Sequence, residues 1–319
     1  MEPQPPQIVP ASKLHFIFRN DRGLRAGWRL LIFAGMLVSF FMLVTLVLSG
    51  MRGAQPRTQQ NVINPWPQLV VGVFVFLAVL FFTWVMSRIE RRPMGVYGLP
   101  LNRSLFKSFL WGWIFWGVLP LTALLLVMRA LGVFYFGTIA LHGADVIRFA
   151  LLWGAVFLLV GLVEEYVTRG YALYTLADGI GFWPAAILQA LLFGYGHMGN
   201  PGETRIGIVD ATLFAVFAAV TLRLTGSLWL AVGAHAGWDW AQSFLYGVND
   251  SGAPAVGHFL NSHSQGPAWL SGGTVGPEGS VLSSLMMMAM TAAFIAIYGK
   301  RRRPEAATRA EDRPPLPPS

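Results

Sequence analysis

Long runs of apolar residues, each bounded by charged residues, Pro or Gly, recur along the whole chain. A helix needs about 20 mainly apolar residues to cross the hydrocarbon core of a bilayer. The pattern therefore predicts an all-α fold, a polytopic transmembrane helical bundle of about eight spans. The predicted spans are Trp28–Leu48, Gln68–Met86, Phe109–Leu131, Phe149–Tyr174, Trp183–Met198, Ile206–Leu222, Leu228–Gly247 and Val281–Tyr298.

Composition agrees with a membrane protein and narrows the chemistry. Of the 319 residues, 55% are hydrophobic and 12% are charged, whereas about a quarter of a soluble domain is charged. The chain has no cysteine, which excludes a disulfide framework, a thiol nucleophile and a cysteine metal site. Any reaction must use oxygen and imidazole groups.

Positive charge is distributed unevenly between the predicted loops. Residues 132–147 and 248–280 contain no Lys or Arg. The basic residues cluster in the other segments: Lys13, Arg19, Arg22, Arg25, Arg29, Arg88, Arg91, Arg92, Arg103, Lys107, Lys300, Arg301, Arg302 and Arg303. Short cytoplasmic loops retain positive charge, so we expect a multi-pass protein of a bacterial inner membrane with both termini cytoplasmic. Topology and anionic lipid headgroups account for the net charge of +8, and no nucleic-acid partner is required.

These patterns divide the chain into six predicted segments. They are a disordered basic cytoplasmic segment (1–26), three transmembrane helices (27–147), a core with the candidate chemistry (148–247), an external Gly-rich loop (248–280), the last transmembrane helix (281–299) and a disordered cytoplasmic tail (300–319).

The fourth predicted span ends with two adjacent glutamates, Glu164 and Glu165, followed by Arg169. Ionisable residues inside a spanning helix are costly unless they are paired or face a wet cavity. On a helix, Glu165 and Arg169 can form an ion pair, while Glu164 points about 100° away. Glu164 is then free to act as a base; the alternative is a charge cluster at a helix end.

Two further helices each carry a histidine paired with a residue four positions away, Phe193 with His197 and His235 with Asp239. Either histidine could be structural, and His235 with Asp239 could simply join two helices. Together with Glu164 they favour a hydrolytic site on three converging helices. Such a site could use a metal to activate water, or Glu164 and His197 could activate water directly.

The motifs EExxxR at Glu164, FxxxH at Phe193 and HxxxD at His235, in this order, resemble those of the CPBP family. That family groups type II CAAX prenyl endopeptidases with bacteriocin-processing and immunity-type membrane proteins. The resemblance covers about Phe149–Tyr246. It implies that Glu164 is the catalytic base and that His197 helps it to activate water. It also implies that His235 and the residue four positions later stabilise the oxyanion, with Glu165, Arg169 and Phe193 in support.

Asp239 departs from the family, in which Asn is commonest at this position. A carboxylate donates a hydrogen bond to an oxyanion only when it is protonated. Alternatively, an ionised Asp239 holds His235 as imidazolium, or it ligates a metal. We expect metal-free catalysis; the other possibility is a divalent metal such as zinc, held by His197, His235 and Glu164.

The functional hypothesis is an intramembrane endopeptidase that cuts a peptide or membrane-protein substrate within the lipid bilayer, with a site that opens toward the cytoplasm. One alternative is a non-catalytic regulator or scaffold of the same fold, and another is a proton-coupled transporter. The loop 248–280 contains Asp250, His258, His263 and Glu278. It is expected to be a plain Gly-rich linker, the alternative being a cover for the outer face or a partner-binding segment.

Overall fold

The computed structural model of the protein describes residues 17–20, 23–52 and 62–300. Most of the described residues are helical. Most of the segments predicted to be disordered, 1–26 and 300–319, lies outside the described ranges, but the described part of the first segment contains the paired strands Arg19–Asn20 and Gly23–Leu24.

The helices and strands follow one another along the chain in a simple order. The α-helices are α1 (Ala26–Arg52), α2 (Pro65–Glu90), α3 (Leu105–Trp111), α4 (Leu119–Ala130), α5 (Ala144–Glu165), α6 (Leu173–Ile180), α7 (Phe182–Gly196), α8 (Arg205–Thr225), α9 (Trp229–Trp240), α10 (Ala268–Ser271) and α11 (Val281–Tyr298). The π-helical segments Gly112–Val118, Tyr166–Ala172 and Ala241–Leu245 continue α3, α5 and α9. The 3₁₀ turns are Met94–Tyr97, His197–Gly199 and Pro277–Gly279. Strand β1 (Arg19–Asn20) pairs antiparallel with β2 (Gly23–Leu24), and β3 (Phe134–Tyr135) with β4 (His263–Ser264).

Within the described residues, six helices are long and apolar enough to cross a membrane, so the multi-pass helical architecture is confirmed. They are Ala26–Val47, Pro65–Glu90, Leu105–Ala130, Ala144–Ile180, Arg205–Thr225 and Val281–Tyr298. The predicted count of eight spans is not confirmed. Two of the predicted spans, Trp183–Met198 and Leu228–Gly247, form the shorter helices α7 and α9, of 15 and 12 residues. The cytoplasmic location of both termini stays a prediction.

Helix α9 lies inside the bundle, where all ten residues from Leu230 to Asp239 are buried. Its backbone approaches that of α3 and the following π segment at glycines on both sides. A Cβ added to Gly233 would lie 2.1 Å from the Phe109 carbonyl oxygen, and one on Gly112 would lie 2.2 Å from the Leu230 oxygen. Small residues allow such close contact between membrane helices. The apolar character of α9 therefore serves packing against protein.

Three segments outside the helices join on one side of the bundle, which we call the loop face: residues 62–64, 132–143 and 248–280. Strand β4 pairs with β3, and isolated bridges join Ile63 to Ala255 and Ile139 to Leu260. Segment 248–280 is thus held against the bundle by backbone hydrogen bonds, unlike the plain Gly-rich linker that the sequence suggested.

The opposite side of the bundle, which we call the arginine face, contains a buried ion network. Arg29 of α1 contacts Glu90 of α2 at 2.7 Å and Asp178 of α6 at 3.1 Å. Arg92 contacts the same Asp178 at 2.6 Å. The side chains of Arg29, Glu90 and Asp178 are each less than 10% exposed, so the network fixes the ends of three helices relative to one another.

The glycine contacts of α9 lead to a first prediction. Gly233→Ala would force α9 away from Phe109, and overpacking of this kind costs about 1–3 kcal/mol. The matched control is Gly35→Ala in α1, where an added Cβ would meet nothing within 4 Å. Thermal unfolding in detergent should show a clear drop for Gly233→Ala and none for Gly35→Ala; equal melting temperatures would contradict the close packing.

A second prediction concerns the arginine face. Arg29→Ala would leave Glu90 and Asp178 partly uncompensated, and breaking a buried ion pair in this way costs about 3–5 kcal/mol. Arg148→Ala is the control, because Arg148 and its partner Asp145 are more than half exposed. Unfolding by a denaturing detergent should separate the two variants widely. Similar stabilities would mean that the network contributes little.

Candidate active site

The two adjacent glutamates have different surroundings. Glu165 is fully buried, and Arg169, also fully buried, lies 3.2 Å from its Oε1, so the ion pair expected from the spacing is present. Arg169 also donates to the Thr168 hydroxyl at 2.8 Å. The side chain of Glu164 is 38% exposed and lines a cavity. Glu165 is therefore committed to internal contacts, whereas Glu164 is accessible.

His235 of α9 lies between three carboxylates. Its Nδ1 is 2.9 Å from Glu165 Oε1, and its Nε2 is 3.5 Å from Asp239 Oδ2 and 3.8 Å from Glu164 Oε2. The ring edge also packs against Phe214 of α8, with centroids 4.8 Å apart. Because a buried carboxylate accepts from one ring nitrogen, the other nitrogen is fixed in position and points between Asp239 and Glu164.

The sequence assigned Asp239 as the orienting partner of His235, but the shorter contact is made by Glu165. Glu165 and His235 are 70 residues apart in the chain, so no local spacing could reveal the contact. The contact of Phe214 with His235 was not predicted either, because the two residues lie on different helices and Phe214 belongs to no motif.

Phe193 lies next to both Arg169 and His197. The Arg169 guanidinium carbon is 4.0 Å from the centroid of the Phe193 ring, and the rings of Phe193 and His197 are 4.6 Å apart. The Nδ1 of His197 is 2.8 Å from the Phe193 carbonyl oxygen. That carbonyl accepts the Nδ1 proton and leaves Nε2 of His197 as the free ring nitrogen.

A cavity of about 530 Å³ brings the candidate residues together. Its walls include Glu164, His197, His235 and Asp239, together with Phe193. Glu165 and Arg169 do not line it and lie behind the wall. The structure therefore places the four sequence-predicted residues of the site around one space, with two of the three supporting residues buried behind them.

The loop face supplies most of the cavity residues that lie outside the helices. They include Ile63, Asp250, Ser251 and Glu278, while Asn200 comes from the connection between α7 and α8. No residue of the ion network at the arginine face lines it. If the arginine face is cytoplasmic, as the charge pattern predicts, this lining does not fit the expected cytoplasmic opening.

Two cavity carboxylates, Asp250 and Glu278, were noted in the sequence only as loop residues. Burial raises the pKa of Asp250 to about 6, and burial followed by the charges of Asp250, Asp239 and Asp210 raises the pKa of Glu278 well above its ordinary value. The sequence did contain a signal for these acids, because the loop that carries them has no Lys or Arg to balance their charge. The sequence analysis used that absence only to predict membrane topology.

The ligand set considered from the sequence, Glu164, His197 and His235, does not form a compact metal site. Among the described residues, the group of ligand atoms that all lie within 4.8 Å of one another belongs to Asp239, Asp250 and Glu278. Zinc requires its nitrogen and oxygen ligands at about 2.0–2.2 Å, hence close to one another. The geometry does not fit a catalytic zinc on the two histidines, and no reaction step is derived through one.

The cavity combines an accessible glutamate with two histidines on the helices that follow it. Residues 146–241 match the family model for Type II CAAX prenyl endopeptidase Rce1-like. The matched residues contain all four sequence-predicted site residues, so the resemblance found from the motifs is confirmed. The match indicates a CAAX-type intramembrane protease, a hydrolase that acts on peptide or protein substrates in a membrane, and favours neither a non-catalytic regulator nor a transporter. No curated protein and no solved structure significantly matches the chain.

The contact between Phe193 and Arg169 leads to a third prediction. Phe193→Leu would remove the ring face beside a buried guanidinium, a contact that contributes about 2 kcal/mol when desolvated. Phe74→Leu in α2 is the control, since Phe74 is 63% exposed. We expect a lower melting temperature in detergent for Phe193→Leu alone; an equal shift in both variants would contradict a specific role for the ring.

Proposed function

We propose that the protein is an endopeptidase of a bacterial inner membrane that hydrolyses a peptide bond with water activated by Glu164. The observation that carries the proposal is that the two adjacent glutamates have different contacts and different exposure. Glu165 is buried and bound to Arg169 and His235, while Glu164 is exposed to the cavity. The family match supports the reaction class.

Glu164 has the position of a general base. A carboxylate that is partly exposed in a cavity can accept a proton from a water molecule placed between it and a substrate carbonyl. The resulting hydroxide attacks the carbonyl carbon and forms a tetrahedral intermediate. Glu164 then returns the proton to the departing amine, so the products are a carboxylic acid and an amine.

His235 is the proposed oxyanion donor. Its Nδ1–H is held by Glu165, so in the imidazolium form Nε2–H points between Glu164 and Asp239. A preorganised donor directed at the developing negative charge stabilises the intermediate in a water-poor site. Asp239 acts in this scheme as an ionised partner that favours the imidazolium, which accommodates an acid at a position where the family commonly has Asn.

His197 is proposed to position the attacking water. The Phe193 carbonyl fixes its Nδ1, and its free Nε2 belongs to the wall of the same cavity. When an imidazole nitrogen accepts a hydrogen bond from a water molecule, it can orient a lone pair of the water oxygen toward the carbonyl carbon. This role agrees with the one that the family resemblance implies for His197.

The proposal is tested by Glu164→Gln, which keeps the shape of the side chain and removes the base. General-base catalysis contributes about 10²–10⁴-fold, so cleavage of an internally quenched peptide library by the reconstituted protein should fall by that factor. The melting temperature should stay close to that of the wild type, because Glu164 makes no buried ion pair as short as that of Glu165.

The matched control is Glu203→Gln, which neutralises another carboxylate in the wall of the same cavity. It should retain the cleavage rate of the wild type. Cleavage by Glu164→Gln at the wild-type rate would show that Glu164 is not the base and would overturn the proposal.

A further inference from the structure

Three carboxylates meet at the end of the cavity nearest the loop face. Asp239 extends from α9, Asp250 from the loop that follows it, and Glu278 from the turn Pro277–Gly279. One oxygen from each lies within 4.8 Å of the others. Among the described residues, no Lys or Arg lies within 4.0 Å of any of the three. Apart from His235, which lies 3.5 Å from Asp239, no basic side chain in the described part of the chain balances these three charges.

Backbone and amide contacts hold the two loop segments that carry these carboxylates. Gln242 donates to the Asn249 carbonyl oxygen at 2.8 Å, and Asn249 donates to that of Thr274 at 2.9 Å. Gly252 N–H donates to the Val275 carbonyl oxygen at 2.9 Å. The loop segments on either side of Asp250 and Glu278 are therefore fixed to each other and to the π segment that continues α9. Holding carboxylates close together in this way is unfavourable unless a bound cation or shared protons reduce their repulsion.

The hydrogen bonds of the acids themselves add to this arrangement. Ser243 Oγ donates to Asp250 Oδ2 at 3.1 Å, and the Ser251 N–H donates to Glu278 Oε2 at 3.3 Å. These contacts orient each carboxylate but supply no positive charge. A buried cluster of acids must share protons or bind a cation.

An independent observation comes from Asp210 of α8, which lines the same cavity and is 3% exposed. Ser283 Oγ donates to its Oδ2 at 3.0 Å. Ser284 also lies near, but Oδ1 of Asp210 has no hydrogen-bond partner of normal geometry. A buried carboxylate oxygen without a donor is expensive. It offers a fourth acceptor in the wall of the same cavity.

We propose that Asp239, Asp250 and Glu278, with Asp210 at the edge, form a binding site for one divalent cation of the oxygen-preferring class. Ca²⁺ binds oxygen ligands at about 2.3–2.6 Å, so opposite ligands lie about 4.6–5.2 Å apart. That distance is the largest that two ligands of one ion can have, and the three carboxylate oxygens, all within 4.8 Å of one another, are close enough for one ion to contact them all. Carboxylates without thiolate or imidazole ligands favour Ca²⁺, Mg²⁺ or Mn²⁺ over zinc.

The site would act on the loop face of the cavity. A cation held by Asp239 and the two loop carboxylates joins α9 to residues 248–280, because these ligands come from both segments. It also keeps Asp239 ionised next to His235. The site is separate from Glu164 and His197, so its existence does not depend on the proposed reaction.

The test is cation binding to the full chain in detergent, after treatment with a chelator, followed by titration with Ca²⁺, Mg²⁺ or Mn²⁺ alone. Isothermal titration calorimetry should give about one site per chain for at least one of the three. The melting temperature should rise in step with occupancy, since a ligand that binds the folded state stabilises it.

The variant Asp250→Asn with Glu278→Gln keeps the shapes of both side chains and removes two charges. We expect its affinity for the cation to fall at least about tenfold, because ligand charge sets the affinity of such sites. Its melting temperature without cation should equal or exceed that of the wild type, because the repulsion between the carboxylates is relieved. A melting temperature that is not lowered distinguishes loss of the site from loss of folding.

Glu203→Gln is the control within the same cavity, and it should bind the cation as the wild type does. No saturable binding of any of the three cations at millimolar concentration would overturn the proposal. Equal binding by the double variant would do the same, since the cation would then lie elsewhere.

Discussion

A buried chain of charges runs from Arg169 through Glu165 to His235, and the arrangement of the cavity depends on it. The guanidinium balances the charge of Glu165 in the absence of water, and Glu165 in turn fixes the His235 ring. Removing either partner of such a pair leaves a desolvated charge, which is far more costly than the pair itself is stabilising. This series of three buried charges therefore determines which glutamate is left exposed to the cavity and which way the Nε2 of His235 points.

This constraint explains how far the site could be predicted from the sequence. The interval of four residues between Glu165 and Arg169 predicted their ion pair, because both side chains lie on one face of a helix. The same reasoning assigned Asp239 to His235, since these residues are also four apart. That contact is present at 3.5 Å, but tertiary packing also brings Glu165, from a different helix, within 2.9 Å of the other ring nitrogen of His235. Local spacing identifies which residues can pair, and packing decides which of them do.

The fold shows a similar limit. Hydropathy correctly predicted a helical bundle with several membrane spans, but the count of eight, which includes α7 and α9, is not confirmed. Apolar residues are needed both against lipid and inside a protein, and periodicity cannot separate the two cases. The glycines of α9 were the better signal, because Gly233 permits a backbone approach that no lipid-facing residue requires. The loop 248–280 was underestimated because its contacts with residues 62–64 and 132–143 join segments far apart in the chain.

Asp239 belongs to two environments, and together they show what a carboxylate does at this position that an amide would not. On one side its Oδ2 lies 3.5 Å from His235, and on the other side it belongs to the carboxylate group with Asp250 and Glu278. An amide at this position could donate a hydrogen bond toward the cavity but would add no charge to that group. A carboxylate cannot donate such a hydrogen bond unless it is protonated, but it adds a negative charge. That charge acts on His235 and joins the charges of the two acids supplied by the loop. Asp239 and the acidic residues of the loop are therefore best understood together, because each of these carboxylates is costly without a positive charge between them.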